Sequence, residues 1–298
     1  MKETENLNQL KALVSLMDEP SDEIFTEIQS KIISFGTEAI PVLQDAWLNT
    51  FVTDQSQRLE STIEEIRFNN LTSLILNWLE THDTPSTNLL HIAAEYVNEN
   101  YDHLLHQKWL DSIHRDCWLE INDDLTPLEK INVLNHIIYQ VHEINSFLPN
   151  QNQLLGFFPD YIRNTKKGNA LSIGFIYLTL AQKLKIPLYG INLPNQFILA
   201  FLDKPLINAP EKPLEVVQNN ILFYINPSNS GAVFTKREIT NYLNHQGIKA
   251  AESHYLPCTR KTMARIFFSE LHQCLLEENR NTKGTRVLDL IQLINSIH

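Results

Sequence analysis

Several features that would place a protein in a class at first sight are missing from this chain of 298 residues. It has only eight glycines and three cysteines. It also has no apolar run long enough to span a bilayer. Cys117, Cys258 and Cys274 are an odd number without the spacing of a disulfide framework, which is typical of a reducing compartment. The first ten residues lack the apolar segment of a secretory signal. We therefore expect a soluble cytoplasmic protein that does not associate with membranes.

Motifs for cofactors and nucleic acid are absent as well. The sequence contains no G-x-G-x-x-G, no G-x-x-x-x-G-K-[ST] and no H-E-x-x-H. Its histidines and cysteines form no four-ligand set with zinc-type spacing, so we predict neither a cofactor nor a metal. Residues 1–130 hold 8 Lys and Arg against 24 Asp and Glu, whereas residues 131–298 hold 16 against 11. A nucleic-acid partner is not expected, since phosphate binding needs clustered positive charge.

The first part of the sequence predicts short amphipathic helices. Ser21 is placed to cap a helix, and Gly36 follows its last turn as a left-handed residue. Helical spacing gives that helix one apolar stripe: Ile24, Phe25, Ile28, Ile32 and Phe35. A second helix starts near Thr37 and tolerates Pro41 in its first turn. Its predicted buried side consists of Ile40, Leu43, Ala46 and Trp47.

The segment FGTEAIPVLQDAW in this part resembles the turn and second helix of a HEAT repeat. The polar, proline-containing segment Thr81–Asn88 favours a domain boundary. We predict a HEAT-like helical region over residues 1–82 and a second domain over 83–298.

The second domain changes its hydrophobic period along the chain. Helices with a capping box at Thr126 precede a run that is apolar nearly all round, Ala170–Leu184, which is typical of a buried central helix. LYGINL, QFILAFL and ILFYI then read as strands, and a helical tail occupies about 255–298. This order predicts an α+β fold that is predominantly helical, with a buried helix packed on a small antiparallel sheet.

A family resemblance covers residues 125–298. The run KKGNALSIGFIYLTLAQKLKIPLYGINLPNQFILAF is similar to the core of the SirB-type transglutaminase-like proteins. FYINPSNSGAVFTKREI resembles the turn and helix that follow in that family. HYLPCTRKTMARIFFSELHQCLLEENR resembles its C-terminal helical tail. The resemblance implies a papain-like or transglutaminase-like core around the apolar helix.

In such folds a thiol at the head of the helix, a histidine on the next strand and an acid on the strand after it form a catalytic triad. The resemblance places Leu171 or Ser172, Gln196 and Asn226 at these positions. A glutamine cannot accept a proton near neutral pH, and an asparagine offers no charge to an imidazolium. No catalytic residue is therefore predicted. The residues expected at a degenerate cleft are Ser172, Asn195, Gln196, Asn226 and Asn229, although each also suits an ordinary helix-start or turn position.

Two classes of function follow. The first is a non-catalytic interaction or scaffold protein that offers the degenerate cleft to a protein or peptide. The alternative is a hydrolase or acyl transferase with a relocated constellation, such as Cys258 with His254 or His245. A small-molecule binding module using the same cleft is a third possibility. No motif specifies the partner, the pathway or the number of subunits.

Overall fold

The computed structural model describes residues 2–81, 84–98, 101–147, 153–206 and 214–297. The chain divides into two compact units, Met1–Asn77 and Trp78–His298. The division lies inside a long helix, just before the domain boundary that the sequence predicts after residue 82. Each unit has a hydrophobic cluster of its own.

The first unit is built from helices. Its elements are α1 (Lys2–Val14), α2 (Asp22–Ile33), α3 (Ile40–Asn49) and α4 (Thr53–Glu80), the last of which continues past Asn77. The Ser21 side chain accepts a hydrogen bond from the backbone of Ile24, as expected for an N-cap. Gly36 has a φ of +63° and carries the chain into a 3₁₀ turn before α3. The sequence predicts only short helices in this region, but α4 is one continuous helix of 28 residues.

The core of the first unit confirms the predicted stripe only in part. Ile28, Ile32 and Leu43 are buried, whereas Ile24 is 48% exposed. Trp47 was predicted on the buried side of α3, and this is wrong: 41% of its surface is exposed. Helical spacing identifies which residues share a face of a helix. The packing of the neighbouring helices decides how many residues of that face are buried.

The second unit surrounds one buried helix, α9. Its helices are α5 (Asn88–Val97), α6 (His103–Glu120), α7 (Pro127–Asn135), α8 (Pro159–Thr165), α9 (Ala170–Lys183), α10 (Leu214–Asn219), α11 (Lys236–His245), α12 (Arg260–Glu277) and α13 (Asn281–Ser296). A π-helical turn, His136–Val141, extends α7. The predicted capping box at Thr126 is present, with Glu129 as its acidic member.

Two small sheets complete this unit. The parallel pair joins β1 (Asn145–Ser146) and β2 (Lys167–Gly168). The antiparallel sheet has the order β3 (Leu188–Leu193), β4 (Gln196–Leu202), β5 (Ile221–Asn226) and β6 (Ala232–Phe234). The three predicted strands are confirmed. The short β6 and the helix α8 were not predicted, because Gly, Asn and Pro around them read as loop signals.

Helix α9 is the centre of the second unit. Ile173, Ile176, Tyr177 and Leu180 are completely buried, as predicted. Leu184 was predicted to be equally buried, but it lies half-buried at the C-terminal end of the helix. The predominantly helical α+β arrangement that the sequence predicts is therefore confirmed. Within the described residues, no helix is both long and apolar enough to cross a bilayer.

Candidate functional site

The head of α9 is the position where the resemblance expects a nucleophile. Asn169 caps the helix, and its Oδ1 accepts a hydrogen bond of 2.8 Å from the backbone N–H of Ser172. Ser172 is completely buried. Among the described residues its Oγ has no hydrogen-bond partner. A serine hydroxyl without a base beside it is not activated for attack.

Other polar atoms are buried without a partner near this helix head. The Nδ2 of Asn169 has no hydrogen-bond partner in the described part of the chain, and neither does the Oγ of Ser146. Ser146 pairs with Gly168, the residue before Asn169. Gly156 also packs here, and a Cβ at this glycine would lie 2.6 Å from the backbone nitrogen of Asn169. The head of α9 is thus tightly packed around uncharged polar side chains.

Gln196 and Asn195 lie at the turn between β3 and β4. Asn195 has a φ of +59°, a left-handed conformation that asparagine tolerates well. Gln196 opens β4 and pairs with Leu193. The hydroxyl of Tyr242, on α11, donates to the carbonyl oxygen of Pro194 at 2.8 Å and so holds this turn. Both predicted site residues therefore have a local structural role.

Asn226 and Asn229 belong to the turn between β5 and β6. The Oδ1 of Asn226 accepts a hydrogen bond of 3.0 Å from the backbone of Ser228 and caps a short 3₁₀ turn. Asn229 lies in that turn and is exposed. These contacts are those of ordinary turn residues.

The strand registers indicate on which face of the antiparallel sheet Gln196 and Asn226 lie. Phe197 packs against Gly174 and Phe175 of α9, so odd-numbered residues of β4 face this helix. Gln196 shares the other face with Ile198, because successive side chains alternate. Asn226 lies on the same face as Tyr224, and that face packs on Ile239 and Leu243 of α11. Both side chains thus start from the face opposite Phe197, although the turn that follows Asn226 contacts α9. The expected cluster of Ser172, Gln196 and Asn226 around one end of α9 stays a prediction.

A hydrogen-bond network that sequence reasoning missed joins α9 to the turn between β5 and β6. The Tyr177 hydroxyl donates to Oδ1 of Asn135 at 2.9 Å, and Nδ2 of Asn135 donates to the carbonyl oxygen of Gly231 at 3.0 Å. The Tyr139 hydroxyl donates to the carbonyl oxygen of Pro227 at 2.8 Å. These partners lie far apart in sequence, and no local sequence motif predicts their contacts.

The pKa of each of the three cysteine thiols is raised. Burial, reinforced by Asp116 and Glu120, raises the pKa of the Cys117 thiol to about 12. Burial also raises the pKa of Cys258 to about 12. Cys274 shows the same shift, to about 12, from burial and then from nearby glutamates. A catalytic thiol needs the opposite shift, because the thiolate is the attacking form.

Three histidines and a tyrosine form an imidazole cluster that the sequence did not reveal: His91, Tyr101, His103 and His106. The ring centroid of His91 lies 4.2 Å from that of His103 and 4.5 Å from that of His106. The Tyr101 hydroxyl and Nδ1 of His91 are hydrogen-bonded. Neither ring nitrogen of the completely buried His106 has a hydrogen-bond partner among the described residues.

Protonation of His91 and His106 is suppressed. Burial, helped by His103, lowers the pKa of His91 to about 3. Burial is also the main cause that lowers the pKa of His106 to about 2, with His91, His103 and Arg163 adding to it. Two neutral imidazoles are thus packed together at the start of α6. The described part of the chain contains no group of three His, Cys, Asp or Glu side chains able to hold a metal ion.

A groove of about 610 Å³ opens at the C-terminal end of α9. Its charged lining includes Asp123, Lys130, Lys183, Lys185 and Asp203, and Trp118 stands at its side with 63% of its surface exposed. Leu184, the half-buried end of α9, also lines it. None of the five residues predicted for the degenerate cleft lines this groove. Volumes of this size are typical of ligand-binding pockets.

Comparison with known proteins agrees with the core described above. Residues 105–268 match the Transglut_core2 family, described as the transglutaminase-like superfamily. A UPF0162 protein of Vibrio cholerae serotype O1 (strain ATCC 39315 / El Tor Inaba N16961) is 30% identical over 136 residues, 45% of this chain and 45% of its own. The chain thus spans less than half the length of this curated relative. No solved structure gives a significant match. Since the family match covers more than half of its length, the chain belongs to the transglutaminase-like superfamily.

Proposed function

We propose that this protein is a non-catalytic member of the transglutaminase-like superfamily that acts as a protein-interaction or scaffold module in the cytoplasm. Within the superfamily we assign it to the SirB-type proteins, on the motifs around α9 and the turn between β5 and β6. We take the first unit as a HEAT-like helical region. Helical regions of that kind commonly serve as binding surfaces.

The observation that carries the proposal is the absence of a proton acceptor at the head of α9. In the described residues, the Ser172 hydroxyl has no hydrogen-bond partner of any kind, so no base is in position to take its proton. General-base catalysis contributes about 10²–10⁴ in rate. Gln196 cannot supply it, since a neutral amide does not titrate in this range.

The alternative, a hydrolase with a relocated constellation, finds little support in the contacts of Cys258. Its thiol pKa is raised to about 12 by burial. Of the histidines considered for it, His254 uses Nδ1 to accept a hydrogen bond of 3.1 Å from the backbone of Ala251. One ring nitrogen of His254 is therefore used by a local turn.

The groove at the C-terminal end of α9 supports an interaction role. It places the exposed Trp118 beside three lysines and two aspartates. One of the lysines, Lys183, is paired with Asp111 at 2.5 Å. An exposed indole next to charges of both signs suits a peptide of mixed charge, because aromatic residues commonly anchor protein interfaces. We propose this groove, and not the predicted triad positions, as a contact surface for a protein or peptide.

The proposal is tested by enzyme assays on the full-length protein. We expect no incorporation of a fluorescent primary amine into casein and no hydrolysis of a fluorogenic peptide library above the buffer blank. Alkylation with iodoacetamide should leave both readings unchanged. A rate above the blank that disappears in Cys258→Ser or Ser172→Ala would establish an enzyme and refute the proposal.

The interaction role has its own test with point variants. The set of proteins that co-purifies with the tagged full-length chain should be depleted by the pair Trp118→Ala and Lys185→Glu. Leu104→Ser is the matched control, since Leu104 lies at the other end of α6 and is 70% exposed. Equal recovery by the groove variant and the control would exclude the groove as the contact surface.

A further inference from the structure

The connection between α3 and α4 exposes a group of large apolar side chains. We call it the α3–α4 ridge: Trp47, Leu48, Phe51 and Val52. Trp47 and Leu48 lie in the last turn of α3, and Phe51 and Val52 lie in the connection to α4. Their exposed fractions are 41%, 72%, 100% and 59% in that order. Single exposed apolar residues are normal on a soluble protein, but four within six positions form a patch that favours an interaction site.

Local hydrogen bonds fix the backbone that carries the ridge. The Thr50 hydroxyl donates to Oε1 of Gln55 at 2.5 Å and accepts from the backbone N–H of Val52 at 3.3 Å. The N–H of Ser56 donates to the carbonyl oxygen of Val52 at 2.9 Å and starts α4. On the other side, Nδ2 of Asn49 donates to the carbonyl oxygen of Asp45 at 2.8 Å. The exposed side chains therefore project from an ordered turn, which lowers the entropy cost of binding.

Acidic residues predominate around the ridge, and the first basic residue after it, Arg58, is paired with Asp22 at 3.2 Å. Residues 32–57 contain three acidic residues, Glu38, Asp45 and Asp54, and no lysine or arginine. The whole first unit, Met1–Asn77, carries 5 Lys and Arg against 13 Asp and Glu. An apolar patch in such surroundings attracts a positively charged partner and repels an anionic one.

We propose that the α3–α4 ridge binds a basic amphipathic helix of another protein. The apolar stripe of that helix covers Trp47, Leu48, Phe51 and Val52, while its lysines and arginines face Asp45 and Asp54. Helix recognition through an apolar stripe with flanking charges is a recurrent mode of binding. The inference rests on the proposed interaction role, but it uses a surface different from the groove at α9 and names the chemistry of the partner.

The experiment measures fluorescence anisotropy of labelled synthetic helices on the full-length protein. The probe carries leucines at i, i+3, i+4 and i+7 with lysines elsewhere. The matched control peptide keeps the leucines and replaces every lysine with glutamate. We expect the lysine peptide to bind at 50 mM NaCl, to weaken several-fold at 300 mM, and to bind at least ten times more tightly than the glutamate peptide.

Variants locate the binding. The pair Leu48→Ser and Phe51→Ser removes exposed apolar surface without touching the core, so a folded protein with at least tenfold weaker binding is expected. Asp45→Asn with Asp54→Asn should weaken binding less and reduce its dependence on salt. Leu104→Ser, on α6, should bind like the unmodified protein.

Three results would overturn the inference. The first is equal binding of the lysine and glutamate peptides, and the second is binding unaffected by the ridge variants. The third is an association of another kind that Phe51→Ser abolishes. A concentration-dependent dimer would show that a second copy of the chain covers the ridge, and binding to phosphatidylserine vesicles would show that a membrane does. Catalytic activity in the assays above would refute the non-catalytic role alone and leave the peptide result standing.

Discussion

At the head of α9 and in the imidazole cluster, the second unit buries polar atoms that have no hydrogen-bond partner among the described residues. The two regions differ in residue type. The helix head holds Asn169 and Ser172, whose side chains do not titrate near neutral pH, whereas the cluster holds His91 and His106, whose imidazoles have a pKa near neutrality when they are exposed to water. Burial is similar in both, so residue chemistry alone makes one region insensitive to pH and the other sensitive.

The largest effect expected from this difference is a loss of stability in weak acid. In the unfolded chain the pKa of a histidine is about 6.5. In the folded chain that of His91 is about 3 and that of His106 about 2. Because the folded state keeps both rings neutral, their contribution to stability is complete above pH 6.5 and is lost as the pH falls below it. We expect a loss of about 2 kcal/mol per ring between pH 7.5 and 5, measured by urea unfolding.

The control for the acid effect is His106→Phe, which keeps a ring of similar shape and removes one titrating group. Between pH 7.5 and 5, the unfolding free energy of this variant should fall by about 2 kcal/mol less than that of the unmodified protein. Asn169→Ala, at the head of α9, should lower the unfolding free energy equally at both pH values. An unchanged pH dependence in His106→Phe would show that the cluster is not the source.

A smaller effect tests how closely the head of α9 is packed. In Gly156→Ala the new Cβ would lie 2.6 Å from both the backbone nitrogen of Asn169 and a ring carbon of Phe147. Overpacking of this kind costs about 1–3 kcal/mol. Gly247→Ala is the comparison, since its Cβ meets nothing within 4 Å and pays only for a φ of +68°. Equal thermal shifts for the two variants would mean that space is left at the helix head.

The smallest effects compare the two polar residues at the helix head with each other. Asn169→Ala removes the hydrogen bond to the backbone of Ser172 and should cost about 0.5–2 kcal/mol, as for other N-caps. Ser172→Ala removes a buried hydroxyl without a partner and should change the unfolding free energy by less than about 0.5 kcal/mol. A larger loss in Ser172→Ala, seen by urea unfolding, would reveal a bound molecule or residue that uses this hydroxyl.

Local patterns were sufficient for most of the second unit. The central helix, three strands and the capping box at Thr126 all followed from spacing and residue type. The site prediction, in contrast, requires geometry between elements. Gln196 and Asn226 occupy the positions that the resemblance assigns to a histidine and an acid, and the register of β4 and β5 places both on the sheet face that packs on α11.

The sequence by itself determined most of the segments that form helices and strands, because these depend on the period of apolar residues along the chain. Only the tertiary structure decided which groups meet. The imidazole cluster joins residues of α5 and α6, Asn135 joins Tyr177 to Gly231, and Trp47 is left outside the core. Such contacts depend on how whole elements pack against one another, which local patterns along the chain do not encode.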